Sequence, residues 1–527
     1  MNIVMSKIIN LMKTKKFQKA ELEINHELKK NPNSFDLNKL HAMNFLAQEK
    51  YNLAMISLSK CYEINPNDYD INVNLSLLLN KVQDYKSALI YSEAAIKIDP
   101  NKPEVYHNIA HSYLHIPDLI KAELNILKSI ELRGGLDSKE IFRFKDTLNV
   151  YTDILFAKGD EKTLRNVCSL LLNKGIHFGD LFRKLLRSDR EAISQHHLKT
   201  LEDVLRNIER TTSLVDKNLT KASIYSCLAE YHQKLNKEIS EMYYIKSNKL
   251  ISDLQRDPIY QRQEFTKSII KFFEEEDIEK ISGNIKNDLG AGLIFIIGMP
   301  RSGTTLTESI IATSEESVAG GEKVFFTVHC RPIIKQYQNG NANFEALSKL
   351  GVGYLELIDI QRKGKKFFID KMPENYLYYK FIKTSLPLAK FIHVYRDPWD
   401  NAISLFKQNY VNEITYSSSF FGIALEYANY EHIMKKWRSE KNHNILDVSY
   451  QDLVTNTEDT VKKIWEFCNL PGKYDPVKRK EYFAQTASKQ QVRQDIYASS
   501  LKKSEFTEYF EDFNQSLEEQ RSYWRTT

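Results

Sequence analysis

The stretch Leu293-Ile-Phe-Ile-Ile-Gly-Met-Pro-Arg-Ser-Gly-Thr-Thr305 decides the fold. Its first five residues are apolar without a break. A strand with one wet face would alternate, so this run reads as a short strand buried on both faces, as in a parallel sheet. Gly298 and Gly303 then let the backbone turn tightly and approach a ligand. A helix is predicted from Leu306 to about Thr313, with Thr304 and Thr305 at its start. Strand, Gly-bounded loop and helix N-terminus together offer a row of N–H groups to an anion. The frame G-x-x-x-x-G is that of a nucleotide-triphosphate loop, but Thr304 stands where that loop carries Lys. Positive charge comes instead from Arg301, inside the loop, which suits an anion other than a magnesium-bound triphosphate. A tight turn that binds nothing is the competing reading, and Pro300-Arg301-Ser302 within the loop favours a ligand.

Working outward, Phe367–Asp370 and Phe391–Tyr395 read as two more buried strands, and Asn444–Tyr450 as a weaker fourth. Helical patterns between them indicate an α/β layer with a parallel sheet. Ligands of such sheets bind beyond the carboxyl ends of the strands. The loop at 298–305, Asp370-Lys-Met-Pro-Glu-Asn375 and Arg396-Asp-Pro-Trp-Asp-Asn-Ala-Ile-Ser404 all begin at such ends. One crevice can therefore collect them. In the third block Asp397 is an N-cap, Pro398 occupies N1 and Asp400 occupies N3. Ser404 lies two turns beyond the cap on the same face. Arg396 can fork onto a phosphate with Ser404 adding a hydroxyl donor; the alternative is a plain capped helix with a surface Arg.

At these residues the chain resembles the sulfotransferases, in particular the tyrosylprotein branch and its bacterial tetratricopeptide-repeat relatives. The resemblance runs from about Gly292 to the C-terminus, with the three blocks in the family's order. It implies that Arg301, Ser302, Gly303, Thr304 and Thr305 hold the 5′-phosphosulfate of 3′-phosphoadenosine 5′-phosphosulfate. It further implies that Arg396 and Ser404 hold the 3′-phosphate and that Lys371 is a catalytic cation near the sulfuryl group. Glu322, in Val318-Ala-Gly-Gly-Glu322, falls where relatives place the general base. Tyrosylprotein enzymes have a second Glu next, where this chain has Lys323, so the base is Glu322 or a neighbouring position. Segments around Ala487–Arg493 and Leu501–Lys503 resemble the part that closes over the nucleotide, with Ser488 and Lys503 as contacts and Tyr497 a further candidate. A solvated, charged helix accounts for that segment almost as well. No metal is expected, since the donor's leaving group is a phosphate already held by the loop.

The first half has a different organisation. Pro32, Pro66 and Pro100 stand 34 residues apart, and Ala20, Ala54, Ala88 and Ala122 keep the same period. So do Phe17, Tyr51, Tyr85 and Leu119, and the small residues Ala42, Ser76 and Ala110. This is the tetratricopeptide period, one helical hairpin per repeat. The Ala lets two helices approach, the aromatic fills the adjacent gap, and Pro stands where the second helix has ended. Beyond about Gly135 the period fades while helical spacing persists, and Ala222–Leu254 reads as one more degenerate repeat. The expected organisation is an α-solenoid of tetratricopeptide hairpins at 1–134 and degenerate helical repeats at 135–254. A connector helix at 255–290 leads to a sulfotransferase domain at 291–527, α/β with a parallel sheet and a P-loop-like phosphosulfate-binding loop. His107, His111 and His115 share one helix face. Without an H-E-x-x-H acid they read as a polar groove wall before they read as a metal site.

Composition sets outer bounds. The chain has 527 residues, enough for two or more domains, and 74 Lys and Arg balance 69 Asp and Glu. That balance gives no sign of general nucleic-acid binding. Five scattered cysteines without a C-x-x-C pair read as reduced thiols. No run approaches the ~20 apolar residues of a membrane span, and the N-terminus lacks a signal-peptide pattern; a cytoplasmic protein is expected. The reading is a sulfotransferase acting on an acceptor hydroxyl, with protein or peptide tyrosine as the acceptor and the repeat groove as its holder. A glycan or small-molecule acceptor, a repeat scaffold with an inactive domain, and a nucleotide kinase are the alternatives. The missing loop Lys and the Arg396–Ser404 block weigh against the kinase.

Overall fold

The computed structural model describes the chain except residues 1–2, 49, 83, 117, 139, 174–178, 189–192, 209–213, 255–258, 276–287, 341–343, 363, 409, 411–413, 441–443, 483–495, 497–503 and 527. The chain forms two compact units, Met1–Ile176 with Arg187–Ala192, and His177–Leu186 with Ile193–Thr527. Each is described by itself.

In the first unit, α1 (Ile3–Lys13) pairs with α2 (Phe17–Lys30), α3 (Phe35–Leu46) with α4 (Tyr51–Ile64), α5 (Tyr69–Lys81) with α6 (Tyr85–Ile98), and α7 (Pro103–His115) with α8 (Leu119–Leu132). The aromatics and Leu at the 34-residue period open the second helices. Ala20, Ala54, Ala88 and Ala122 are fully buried, as are Ala42, Ser76 and Ala110. Each is the small residue that a close helix crossing demands. Ser76 keeps its hydroxyl satisfied by meeting the Ser92 hydroxyl at 2.6 Å. The inter-repeat turn is clamped at the same period. Asn38 Nδ2 donates to the Pro32 carbonyl at 3.0 Å, Asn72 Nδ2 to the Pro66 carbonyl at 2.7 Å, and the Tyr106 hydroxyl to the Pro100 carbonyl at 2.9 Å. The helices Lys145–Lys158 and Glu161–Asn173 continue the unit without the period.

The second unit contains a five-stranded, wholly parallel sheet of β1 (Leu293–Ile297), β2 (Ser317–Ala319), β3 (Phe367–Asp370), β4 (Lys390–Tyr395) and β5 (Ile445–Ser449). Their order is β2-β3-β1-β4-β5. Central β1 is buried at all five positions. Leu293, Phe295 and Ile297 join one core with Phe368 and Phe391, while Ile294 and Ile296 join a second with Phe367, Ile369, Ile392 and Val394. Two cores, one per face, are why the strand shows no alternation. Three of the four sequence-read strands already form the middle of the sheet. The fifth, β2, is only Ser-Val-Ala and had no sequence signal. Ala229, Tyr244, Ile269 and Phe272 pack into the first core, and so do Phe513, Leu517 and Trp524 of the helix Phe510–Thr526. All five cysteines are buried and none is in a disulfide.

The repeat packing predicts a contrast between two neighbours on α6. Ala88→Leu forces extra carbon into a filled crossing and should cost ~1–3 kcal/mol. Ile90, 65% exposed, should tolerate Ile90→Ser within about 0.5 kcal/mol. Urea unfolding of both variants checks this, and equal losses would contradict the assignment of the buried face.

Candidate active site

The loop after β1 owes its shape to close backbone approach. A Cβ on Gly298 would lie 2.2 Å from the Val394 carbonyl oxygen, and one on Gly303 would lie 2.4 Å from the Tyr450 ring. Both glycines have positive φ, as does Arg301 at 68°. The helix Thr304–Ile311 starts where the loop ends, and N–H groups of a first helical turn lack intrahelical acceptors. Ser302, Thr304 and Thr305 are buried, and among the described residues Ser302 Oγ has no hydrogen-bond partner. The Gly298 amide donates to the Pro373 carbonyl at 3.1 Å, which ties the first block to the second.

The third block reaches the loop from the other side. Asp397 Oδ1 accepts the Trp399 and Asp400 N–H groups at 3.1 and 3.0 Å, and Pro398 opens the helix Pro398–Phe406, as the cap reading requires. Arg301 Nε donates to Ser404 Oγ at 3.3 Å, and Arg396 Nη1 donates to the Arg301 carbonyl at 3.4 Å. Asn401, which the sequence reading passed over, donates from Nδ2 to the Pro300 carbonyl at 3.1 Å. The Arg396 guanidinium sits 4.6 Å from the centre of the Tyr450 ring, and its carbonyl accepts the Tyr427 hydroxyl. Burial pushes the Arg396 guanidinium below its ordinary range, partly offset by Tyr450 and Asp400, and the neighbouring Arg301 charge adds to the downward push. Two guanidinium groups are thus brought together at a loop of backbone donors, which is a setting for an anion.

Lys371 and Glu322 lie at the ends of β3 and β2. Lys371 Nζ contacts Glu322 Oε1, with the Lys side chain wholly enclosed and Glu322 42% exposed. The short β2 is what delivers Glu322. The Gly320 amide bonds the Ile369 carbonyl at 2.7 Å, and the Lys371 amide bonds the Gly321 carbonyl at 2.9 Å. Near them are further ionisable groups, of which the sequence reading did not single out Glu308. Glu308 is fully buried, and its carboxyl is pushed up to about 7 by burial, against the pull of Lys371 and of a Tyr482 hydrogen bond. Asp370 is likewise raised by burial to about 7, and accepts the Tyr354 hydroxyl at 2.7 Å. Buried Lys323 is lowered by its burial and faces both carboxyls. Farther back, Arg262 holds Glu374 of the second block at 2.9 Å and Glu426 at 2.7 Å. Helical spacing alone cannot announce such contacts, because each joins residues from separate elements.

The remaining candidates fall elsewhere. Ser488, Tyr497 and Lys503 lie outside the described residues. His107, His111 and His115 are in the first unit, where His115 stacks on Tyr85 with centroids 4.7 Å apart. Burial lowers His107 to about 4 and His111 to about 3. Among the described residues no group of three or more His, Cys, Asp or Glu is placed to hold a metal ion.

Comparison with known proteins agrees with both halves. Residues 294–476 match the model of the Sulfotransferase family, and residues 69–102 match that of the tetratricopeptide repeat. An uncharacterized protein of Aquifex aeolicus (strain VF5) is 28% identical over 281 residues, covering 49% of this chain and 36% of that protein. The chain therefore spans about a third of the length of this curated relative. Among solved structures, the sulfotransferase domain of the Synechococcus PCC 7002 olefin synthase is 15% identical, over 44% of this chain and 95% of that one, with a TM-score of 0.30. A tetratricopeptide repeat protein from Parabacteroides merdae ATCC 43184 is 14% identical, over 47% of this chain and 91% of that one, with a TM-score of 0.36. Scores this low add nothing to the assignment. The family matches carry it: the chain has tetratricopeptide repeats and, after them, a sulfotransferase-family domain.

The raised carboxyls set a pH dependence. Glu308 and Asp370 bind protons more tightly folded than unfolded, from ordinary values of 4.5 and 3.8 up to about 7. Between about pH 4 and 7 the folded state then holds the extra protons, so their contribution to stability falls as pH rises, by at most ~1.4 kcal/mol per unit for each group. Glu308→Gln combined with Asp370→Asn should gain stability relative to wild type as pH rises through that window. Denaturant midpoints from pH 4.5 to 8 measure this, and a constant difference would contradict it.

Proposed function

We propose that this protein moves a sulfuryl group from 3′-phosphoadenosine 5′-phosphosulfate to an acceptor hydroxyl, with a tyrosine of a protein or peptide as acceptor. The observation that carries the reading is the convergence of Arg301, Arg396 and Ser404 on the Gly298–Thr305 loop, beside the Lys371–Glu322 pair. The loop amides, Ser302, Thr304, Thr305 and Arg301 hold the phosphosulfate; Arg396 and Ser404 hold the 3′-phosphate. Ser488 and Lys503, outside the described residues, are nucleotide contacts by the resemblance of their segment. Thr304, in place of a triphosphate loop's Lys, weighs against phosphoryl transfer.

In the reaction the acceptor oxygen forms a bond to sulfur as the bond from sulfur to the bridging phosphate oxygen breaks. The leaving electron pair stays on the phosphate, and the acceptor proton passes to Glu322, a transfer worth typically ~10²–10⁴ in rate. Lys371 and Arg301 stabilise the oxygens that gain charge, and removing one such donor typically costs ~10²–10³ in turnover. A phenol is the easier acceptor, because the Tyr hydroxyl ionises at about 10, far below an alkyl alcohol. The repeats supply a surface suited to a peptide, and this fits a protein acceptor; cytoplasmic residence belongs to the same proposal.

Incubation with sulfur-labelled donor and host lysate tests the reading: label should enter a protein fraction as tyrosine sulfate. Label in a glycan or small molecule instead would replace the acceptor, and donor binding without transfer would favour the inactive scaffold. Arg396→Ala should weaken adenosine 3′,5′-bisphosphate binding at least tenfold, as befits a charge-assisted contact of ~1.5–3 kcal/mol. Adenosine 5′-phosphate should be nearly unaffected, and equal losses by calorimetry would remove the 3′-phosphate assignment. Glu322→Gln should lose roughly 10² or more in turnover with a high-pKa phenol and less with an acidified one. The loss in Lys371→Ala should not depend on acceptor acidity.

A further inference from the structure

Glu308 is a buried acidic group with no part in the reaction, and its place in the fold is specific. It sits one helical turn after Thr304, on the helix that the loop itself begins. Its Oε1 accepts the Gly321 N–H at 3.2 Å, while the Gly321 carbonyl accepts the Lys371 amide at 2.9 Å. The Gly321 peptide units are therefore gripped from both sides, and the next residue is Glu322. Gly321 has φ of 70°, with no described residue within 4 Å of where a Cβ would stand, so the turn needs glycine for its conformation. Around Glu308 stand Lys371 from the end of β3, Glu322 and Lys323 from the turn after β2, Asp370 from β3, and Tyr482 following the helix Pro476–Glu481.

We propose that Glu308 is a positioning residue for the base: by holding the Gly321 N–H it fixes the turn that aims Glu322 at the acceptor beside Lys371. This rests on the sulfotransferase reading. One short helix then carries the donor loop at its start and the anchor of the base one turn later, so donor site and base move as one piece. Glu308 itself touches neither donor nor acceptor.

Turnover across a phenol series, with bisphosphate affinity by calorimetry, tests this in the full chain. Glu308→Ala should lower kcat about tenfold or more and leave donor affinity within about twofold, the split expected of a group acting only on the chemical step. Its loss should shrink with acidified phenols, as for Glu322→Gln, and the double variant should lose little beyond Glu322→Gln alone, since groups acting through one another are not additive. Glu308→Gln, whose carbonyl can still accept the N–H, should restore kcat to within about threefold of wild type. Gly321→Ala, strained at positive φ, should reproduce the acceptor-dependent loss with Glu308 intact. Losses that add fully to Glu322→Gln, that ignore acceptor acidity, or that fall equally on donor affinity overturn the proposal. If Glu308→Ala does not fold, a tenfold kcat loss in Glu308→Gln at unchanged donor affinity overturns it as well. A wild type that transfers nothing to any acceptor removes the sulfotransferase reading and this one with it, whereas active wild type with the wrong variant pattern removes only the role of Glu308.

Discussion

Burial of β1 on both faces between β3 and β4 is the constraint from which the site follows. In a parallel sheet neighbouring strands end on the same side, so the segments after β1, β3 and β4 emerge together. The order β2-β3-β1-β4-β5 reverses direction about β1, which opens the crevice there. Arg301, Lys371 and Arg396 leave the sheet from these three adjacent strands. The bonds from Gly298 to Pro373 and from Asn401 to Pro300 then lock the blocks to one another at 3.1 Å each. The loop's glycines accommodate the Val394 carbonyl and the Tyr450 ring, and this constrains its path.

A second constraint is electrostatic. Enclosing Lys371 beneath the site removes it from water, and an isolated buried ammonium would be costly. Glu322 pairs with that ammonium and Glu308 stands near it, while Lys323 faces Asp370 and Glu308. A second glutamate at position 323 would add a fourth acid to the cluster, where Lys323 supplies a cation facing Asp370 and Glu308. Glu322 is half-exposed and meets the enclosed Lys371.

The repeats show how much periodicity conveys and where it stops. Recurrence of Ala every 34 residues marks helix crossings, and all four alanines are buried. Yet Leu22, Ile56, Ile90 and Leu124 keep the same 34-residue period and are exposed at 71%, 59%, 65% and 66%. Apolar recurrence alone would have put them in a core. What separates the two rows is the crossing geometry: the position against the next helix admits only a small side chain, while the outward position admits any.

The sequence by itself determined the repeat architecture, the parallel sheet and the three blocks of the site, because each rests on local rules. An unbroken apolar run implies two buried faces, Gly spacing implies a loop, Asp-Pro implies a helix start, and a fixed period implies stacked hairpins. It also brought Arg301, Arg396, Ser404 and Lys371 to attention, since all four adjoin such signals. Only the tertiary structure decided how Glu322 reaches Lys371, because its strand, Ser317–Ala319, is three half-buried residues that earn their conformation from pairing with β3. The contacts of Glu308, Asp370, Lys323, Asn401 and Tyr450 were silent for the same reason. Glu308 looks like any polar residue on a helix until the Gly321 amide, 13 positions away, is laid against it. Long-range contact, not local pattern, gives those side chains their surroundings and hence their charge, and one sequence read along its length contains no local term for that.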